Sequence, residues 1–97
     1  MTARFDWDPA KDRLNQKRHG LSFEFALEVF DDPFNQTFFD RTKDGEDRYW
    51  TVGRLGNLVV IVVVHTLPGE FEEEVIRIIS ARKATPRERR FYEEGAS

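Results

Sequence analysis

Seven residues in a row, Leu58 to Val64 (LVVIVVV), offer apolar side chains to both faces of the strand they would form. A strand with one wet face alternates apolar and polar residues, whereas one without that alternation has to be covered on both sides. The run therefore predicts the central strand of a sheet, with packing layers above and below it. Covering it takes bulky partners, and nine Phe and two Trp in 97 residues provide them. A chain of this length makes one domain, residues 1–97, and can bury a hydrophobic core when most of its apolar residues converge.

Local signals on either side of the run supply the other elements. Asp8 followed by Pro9 reads as an N-cap and first helical position, and Gly20 as a terminator, so a helix is expected from Pro9 to His19. Ser22 can cap a second helix in which Phe23, Ala26, Leu27 and Phe30 recur at i, i+3, i+4 and i+7, closed by Asp32-Pro33. FNQTFF (34–39), RYWTVGRL (48–55), LVVIVVVHT (58–66) and EVIRIIS (74–80) read as four successive strands, separated by TKDGED, Gly56-Asn57 and Leu67-Pro68-Gly69. Gly56-Asn57 is a two-residue hairpin signal that makes the second and third of these strands antiparallel neighbours. Thr85-Pro86-Arg87-Glu88 has the form of a capping box and opens a basic helix to about Glu94. The expected fold class is α+β: two N-terminal helices, a four-stranded, mainly antiparallel sheet and a C-terminal helix, in the order α-α-β-β-β-β-α.

Charge is distributed unevenly. Ile76 to Arg90 holds six basic residues (Arg77, Arg82, Lys83, Arg87, Arg89, Arg90) against Glu88 alone, in a chain whose formal net charge is −3. Arginine outnumbers lysine there, which suits bidentate contact to phosphate. The acids gather elsewhere, at Asp31-Asp32, at Asp44, Glu46 and Asp47, and at Glu70 with Glu72 to Glu74. A negative overall balance argues against nonspecific coating of nucleic acid, but not against one strongly positive site.

Several classes are disfavoured. No apolar run approaches the roughly 20 residues that span a bilayer, and the N-terminus lacks a signal-peptide pattern, so a cytoplasmic protein without a membrane role is expected. Without cysteine there is neither a disulfide nor a thiolate nucleophile. Two His far apart argue against a zinc site, and neither a metal nor another cofactor is expected.

Six ordered segments resemble the BrnT family of toxins from type II toxin-antitoxin systems: FDWDPAK (5–11), NQKRHGLSFEFA (15–26), VFDDP (29–33), GEDRYWTVG (45–53), VVVHT (62–66) and IRIISARKATPRERRFYEE (76–94). The resemblance implies a fold similar to RelE-like ribonucleases and RNA cleavage without a metal. It also implies neutralisation by a BrnA-like ribbon-helix-helix antitoxin, with DNA contacted only through that antitoxin.

Metal-free RNA cleavage uses the neighbouring 2′-hydroxyl as nucleophile, so the protein must take its proton, protonate the leaving 5′-oxygen and stabilise charge on phosphorus. Arg77, alone between Ile76 and Ile78, has to face a partner charge, a ligand or water. Arg82 and Lys83 follow at the end of the last strand, and His65 at the end of the central strand is the acid-base candidate by pKa range. These four are the expected catalytic residues. Lys17, Arg18 and His19, in the family's basic element before glycine, and Arg87 and Arg90, on the last helix, are the expected RNA contacts. Each has a plainer reading. Arg77 can pair with Glu74 or another neighbour, and His65 can end a strand. Lys17 to His19 can serve the helix C-terminus. Arg87, Arg89 and Arg90 can form a solvated face or an antitoxin contact. The acids of Gly45-Glu46-Asp47-Arg48 turn the chain or pair with Arg48. A non-catalytic RNA-binding or co-repressor module that binds the antitoxin is the alternative function.

Overall fold

A computed structural model describes residues 4–56, 59–68 and 74–96. In chain order the elements are β1 (Arg4–Trp7), α1 (Pro9–His19), α2 (Phe23–Ala26), a 3₁₀ turn (Leu27–Asp31), β2 (Gln36–Lys43), β3 (Glu46–Leu55), β4 (Val59–His65), β5 (Val75–Lys83) and α3 (Pro86–Ala96). The strands form one sheet in the order β1-β5-β4-β3-β2, so the doubly apolar β4 lies at its centre. β2, β3, β4 and β5 pair antiparallel in sequence, while β1 joins the far side of β5 in parallel, Arg4 opposite Val75 through Trp7 opposite Ile78.

The α+β class and the antiparallel core of the sheet are as expected, but the sheet is mixed and has five strands. β1 is too short to announce itself, and its partner lies some seventy residues away, where no local pattern can signal it. The second helix also differs. Its α-helical part stops at Ala26 and the chain tightens into the 3₁₀ turn, although Phe23, Ala26, Leu27 and Phe30 still face the core together. The tight turn after Lys43 is Asp44-Gly45, with φ of 54° and 77°, the paired left-handed conformation that suits the twist of a two-residue hairpin. Asn57 and Leu58, Gly69, and the acids Glu70, Glu72 and Glu73 lie outside the described residues.

Capping follows the sequence. Asp8 accepts from the Ala10 N–H at 2.8 Å, Gly20 ends α1 at φ 69°, and Ser22 accepts from the Phe25 N–H at 3.1 Å. The box at α3 is reciprocal: Glu88 N–H donates to Thr85 Oγ1 at 3.1 Å and Thr85 N–H to Glu88 Oε1 at 2.9 Å.

Two layers cover the sheet. On one face Leu21, Phe23, Ala26 and Val29 pack against Leu55, Ile61, Val63, Ile76, Ile78 and Ala81, with Phe5, Trp7 and Phe30 at the margin. Gly53 lets the 3₁₀ turn approach β3, since a Cβ there would collide with Val29. On the other face α3 lays Tyr92 against Val52, Val60 and Val62. The Tyr92 hydroxyl donates to Asp32 at 2.5 Å, and burial together with that carboxylate pushes the phenol up to about 12. α1 contributes little to either layer. Its buried side chain is Asn15, which donates to the Leu21 and Ala81 carbonyls (2.9 and 2.8 Å) and accepts from the Ala81 N–H (3.1 Å). Asn15 thus satisfies β5 where β1 has already ended, closing an edge that would otherwise present unpaired backbone.

Candidate functional site

Strict alternation along β5 would put Arg77 and Arg82 on opposite faces, because they are five residues apart. The ladder does not alternate strictly: Val64 pairs with Ser80 but His65 with Ile78, so Ile79 is an extra residue bulged out of register. Ile76, Ile78 and Ala81 consequently share the helix-packed face. Arg77, Ser80 and Arg82 share the other. β2 has a similar shift between Phe39 and Arg41, which places Arg41 opposite Arg48 while Phe38 lies opposite Trp50. Two bulges therefore assemble one polar face. Arg41, Arg48 and Arg77 stand at one end of it, Phe38, Trp50, Val64 and Ser80 across its middle, and Arg82 at the end where α3 begins.

These cations are held in defined geometry. Arg77 Nη2 contacts Glu46 Oε1, and Arg48 Nε lies 3.9 Å from the same oxygen. The Arg48 Nε atom is buried without a hydrogen-bond partner among the described residues, near the carboxylate that Arg77 contacts. Thr66 fixes the strand position of Arg77, accepting its N–H at Oγ1 and donating a backbone N–H to its carbonyl, both at 3.0 Å. At the other end Arg82 grips Glu88 with two bonds of 2.7 and 2.9 Å. That grip, with the Thr85 cap behind it, draws the Glu88 carboxyl down to about 2 and raises the Arg82 guanidinium.

The other expected residues are elsewhere. β4 and β5 run antiparallel, so His65 at the end of β4 lies beside the start of β5, while Arg82 and Lys83 lie at the opposite end. His65 also points to the helix-packed face, 1% exposed and edge-on to Phe30 at 5.2 Å. Burial pushes its pKa down, and both ring nitrogens are engaged: Nδ1 with the Thr66 carbonyl at 2.8 Å, Nε2 with the Thr51 hydroxyl at 2.6 Å. A carbonyl only accepts, so the neutral ring carries its proton on Nδ1. Thr51 then donates to Nε2 and receives from Thr37 at 2.7 Å. Lys83 is exposed and pairs with Ile61, on the face away from Arg82. Lys17, Arg18 and His19 are exposed in the last turn of α1, which docks at the outer edge of β5 through Asn15. Arg87 and Arg90 are exposed on α3.

Arg77 pairs with Glu46, not with Glu74. Glu46, Arg48, Arg41 and Trp50 carry no site signal of their own in the sequence; three of them fall within the family-like segment GEDRYW. Among the described residues no three His, Cys, Asp or Glu side chains gather to hold a metal ion. The face can receive an anion between guanidinium groups, with the carboxylates of Glu46, Glu88 and Asp40 in contact with Arg77, Arg82 and Arg41.

The model of the family described as the ribonuclease toxin BrnT of type II toxin-antitoxin systems matches residues 7–88. The crystal structure of the Brucella abortus ribonuclease toxin BrnT is similar at 29% identity and a TM-score of 0.64, over 87% of this chain and 99% of that one. A search of curated proteins found no match.

Proposed function

On the premise that the chain belongs to the BrnT family of ribonuclease toxins of type II toxin-antitoxin systems, we propose that it cuts RNA without a metal on the arginine-lined face of its sheet. The observation that carries this reading is the gathering of Arg48, Arg77 and Arg82 on one face of the sheet. In the proposed reaction the 2′-oxygen attacks phosphorus, the bond to the 5′-oxygen breaks, and a 2′,3′-cyclic phosphate and a 5′-hydroxyl result. Arg48 and Arg77 hold the scissile phosphate and stabilise its added charge, and Arg82 holds a neighbouring phosphate. Glu46 is the base that takes the 2′-hydroxyl proton, and solvent supplies the proton to the leaving oxygen. His65 acts from behind by fixing Thr66, which fixes Arg77. Lys17, Arg18, His19, Arg87 and Arg90 add long-range attraction to RNA, and Lys83 does the same from the opposite face.

The partner in this reading is a ribbon-helix-helix antitoxin that covers the positive face, so contact with DNA runs through the antitoxin. No described helix is long and apolar enough to cross a membrane, and the proposed place of action is the cytoplasm, where RNA is available. A second reading is favoured by one observation: Arg77 and Arg82 are each already paired, with Glu46 and Glu88. A non-catalytic module that uses the same face to bind RNA or its antitoxin would show the same pairs.

The discriminating experiment incubates purified protein with single-stranded RNA in excess EDTA and identifies the ends. Cleavage giving 2′,3′-cyclic phosphate and 5′-hydroxyl ends, reduced when antitoxin is added first, supports the ribonuclease. Products with 5′-phosphate ends, or cleavage abolished by EDTA, overturn the metal-free scheme. RNA bound but never cut moves the protein to the second reading.

A further inference from the structure

Between the arginines at the two ends of the open face lies an aromatic strip that the phosphate chemistry does not use. Trp50 stacks on Phe38 at 4.7 Å with the rings 28° from parallel, and Phe91 from α3 leans on Phe38 at 5.5 Å. Each ring backs the next, so the indole is held in a fixed orientation by a cross-strand neighbour and a helix. Trp50 ends this ladder and lines a groove of about 440 Å³ together with Asp40, Arg41, Val62, Val64, Arg82 and Glu88. As a sheet residue Trp50 pairs with Phe38 and packs against the cluster of Val52, Val60, Val62 and Tyr92. Its place in the groove wall is what the cross-strand pair does not explain.

The geometry points to Trp50 as a stacking platform for one nucleobase of single-stranded RNA, next to the phosphate held by Arg48 and Arg77. This rests on the reading of the face as the RNA site and adds to it how a base is held. Trp50 lies two residues from Arg48 on the same strand and face, roughly 7 Å along the pleat. A base on the indole therefore has arginine on both sides, Arg48 toward one end of the groove and Arg82 toward the other. Such an alternation of cation and aromatic ring is how a protein holds unpaired nucleotides, since every base has a π-face and every linkage a charge. Arg82 reaches a phosphate by keeping or exchanging its bond to Glu88. The subsite selects unpaired RNA, because a base inside a duplex has no free face to offer.

The test uses an uncleavable 2′-O-methyl RNA oligonucleotide of about eight nucleotides and a series of the same sequence in which each nucleotide in turn is abasic. Anisotropy titrations compare wild type, Trp50→Ala, Trp50→Phe and Arg77→Ala, with thermal midpoints confirming that each variant is folded. Trp50→Ala should weaken binding to the full oligonucleotide about tenfold or more, the size of one lost base–aromatic stack, and Trp50→Phe should recover part of it. One abasic position should weaken wild type by a similar factor and Trp50→Ala hardly at all, because base and ring belong to one interaction. The proposal is overturned if folded Trp50→Ala binds as wild type does. It is overturned equally if the mutation costs the same factor on every abasic oligonucleotide, or if only antitoxin binding suffers. Arg77→Ala separates the two readings: binding lost there but kept in Trp50→Ala rejects the stacking subsite alone, while binding unchanged in both rejects this face as the RNA site.

Discussion

Arg77 and Arg82 project from the same face of the sheet although five residues separate them on one strand, because Ile79 is bulged out of the ladder between them. The proposed mechanism depends on that relationship. Arg77→Ala and Arg82→Ala should each lower the cleavage rate by about 100-fold or more, the loss seen when one preorganised charge-stabilising donor is removed. Lys83→Ala, on the other face, should stay within a few-fold of wild type by the same argument. Glu46→Gln keeps the shape but cannot take a proton, and should lose about 100-fold. Equal losses at Lys83 and Arg82 in single-turnover assays would show that general positive charge, not placement, drives the reaction.

His65 titrates against stability. Burial lowers its folded pKa below the ordinary 6.5, so the unfolded chain takes up the proton first as pH falls. The contribution is full above about 6.5 and is lost as pH drops through the lowered folded value. Thermal midpoints measured from roughly pH 8 to 5 should fall across that window in wild type. In His65→Gln the fall should flatten. An unchanged slope in the variant would rule out His65 as its source.

Glu88 acts in a lower window. The Arg82 bond and the Thr85 cap hold it at about 2 against an ordinary 4.5, so its stabilisation is present above 4.5 and is lost as pH falls toward 2. Arg82 is 41% exposed, and water screens the pair. Glu88→Gln should therefore cost only about 1 kcal/mol at neutral pH, through the weakened cap and ion pair. Urea midpoints below pH 4.5 should bring the two proteins together. A gap that stays constant with acidification would mean that the carboxylate charge contributes nothing.

Asn15→Ala removes three hydrogen bonds and leaves the Ala81 N–H and carbonyl buried without partners. The expected cost is on the order of 2–4 kcal/mol. Hydrogen exchange should show the Ala81 amide losing protection ahead of β4. Retained protection would mean that water or a neighbouring chain group replaces the side chain.

Phe23 and Phe30 both lie on the expected apolar stripe but differ in burial: Phe23 is 0% exposed, whereas Phe30 sits at the margin between Phe5 and His65. Phe23→Ala should cost about 3–5 kcal/mol and Phe30→Ala less than that. Equal losses in denaturant titrations would contradict the marginal position of Phe30.

What the sequence determined by itself was whatever neighbouring residues decide among themselves. Asp8-Pro9 and Gly20 bound α1, and Thr85 with Glu88 opens α3, because a cap is a bond across three residues. Leu58 to Val64 has no polar face to give to water, so the described part of that run could only be central. The excess of arginine in one segment is likewise a local property, legible without the fold. Tertiary structure alone decided the rest. β1 exists because β5 offers it an edge in parallel, a pairing with no local signature. Arg41 and Arg82 reach the site through bulges, and a bulge is a property of two strands in register, invisible in either one. Glu46 meets Arg77 across β4 although thirty-one residues separate them in the chain. His65 was turned away from that meeting by strand alternation, which gives the residue after it, Thr66, to the arginine-lined face and His65 itself to the core.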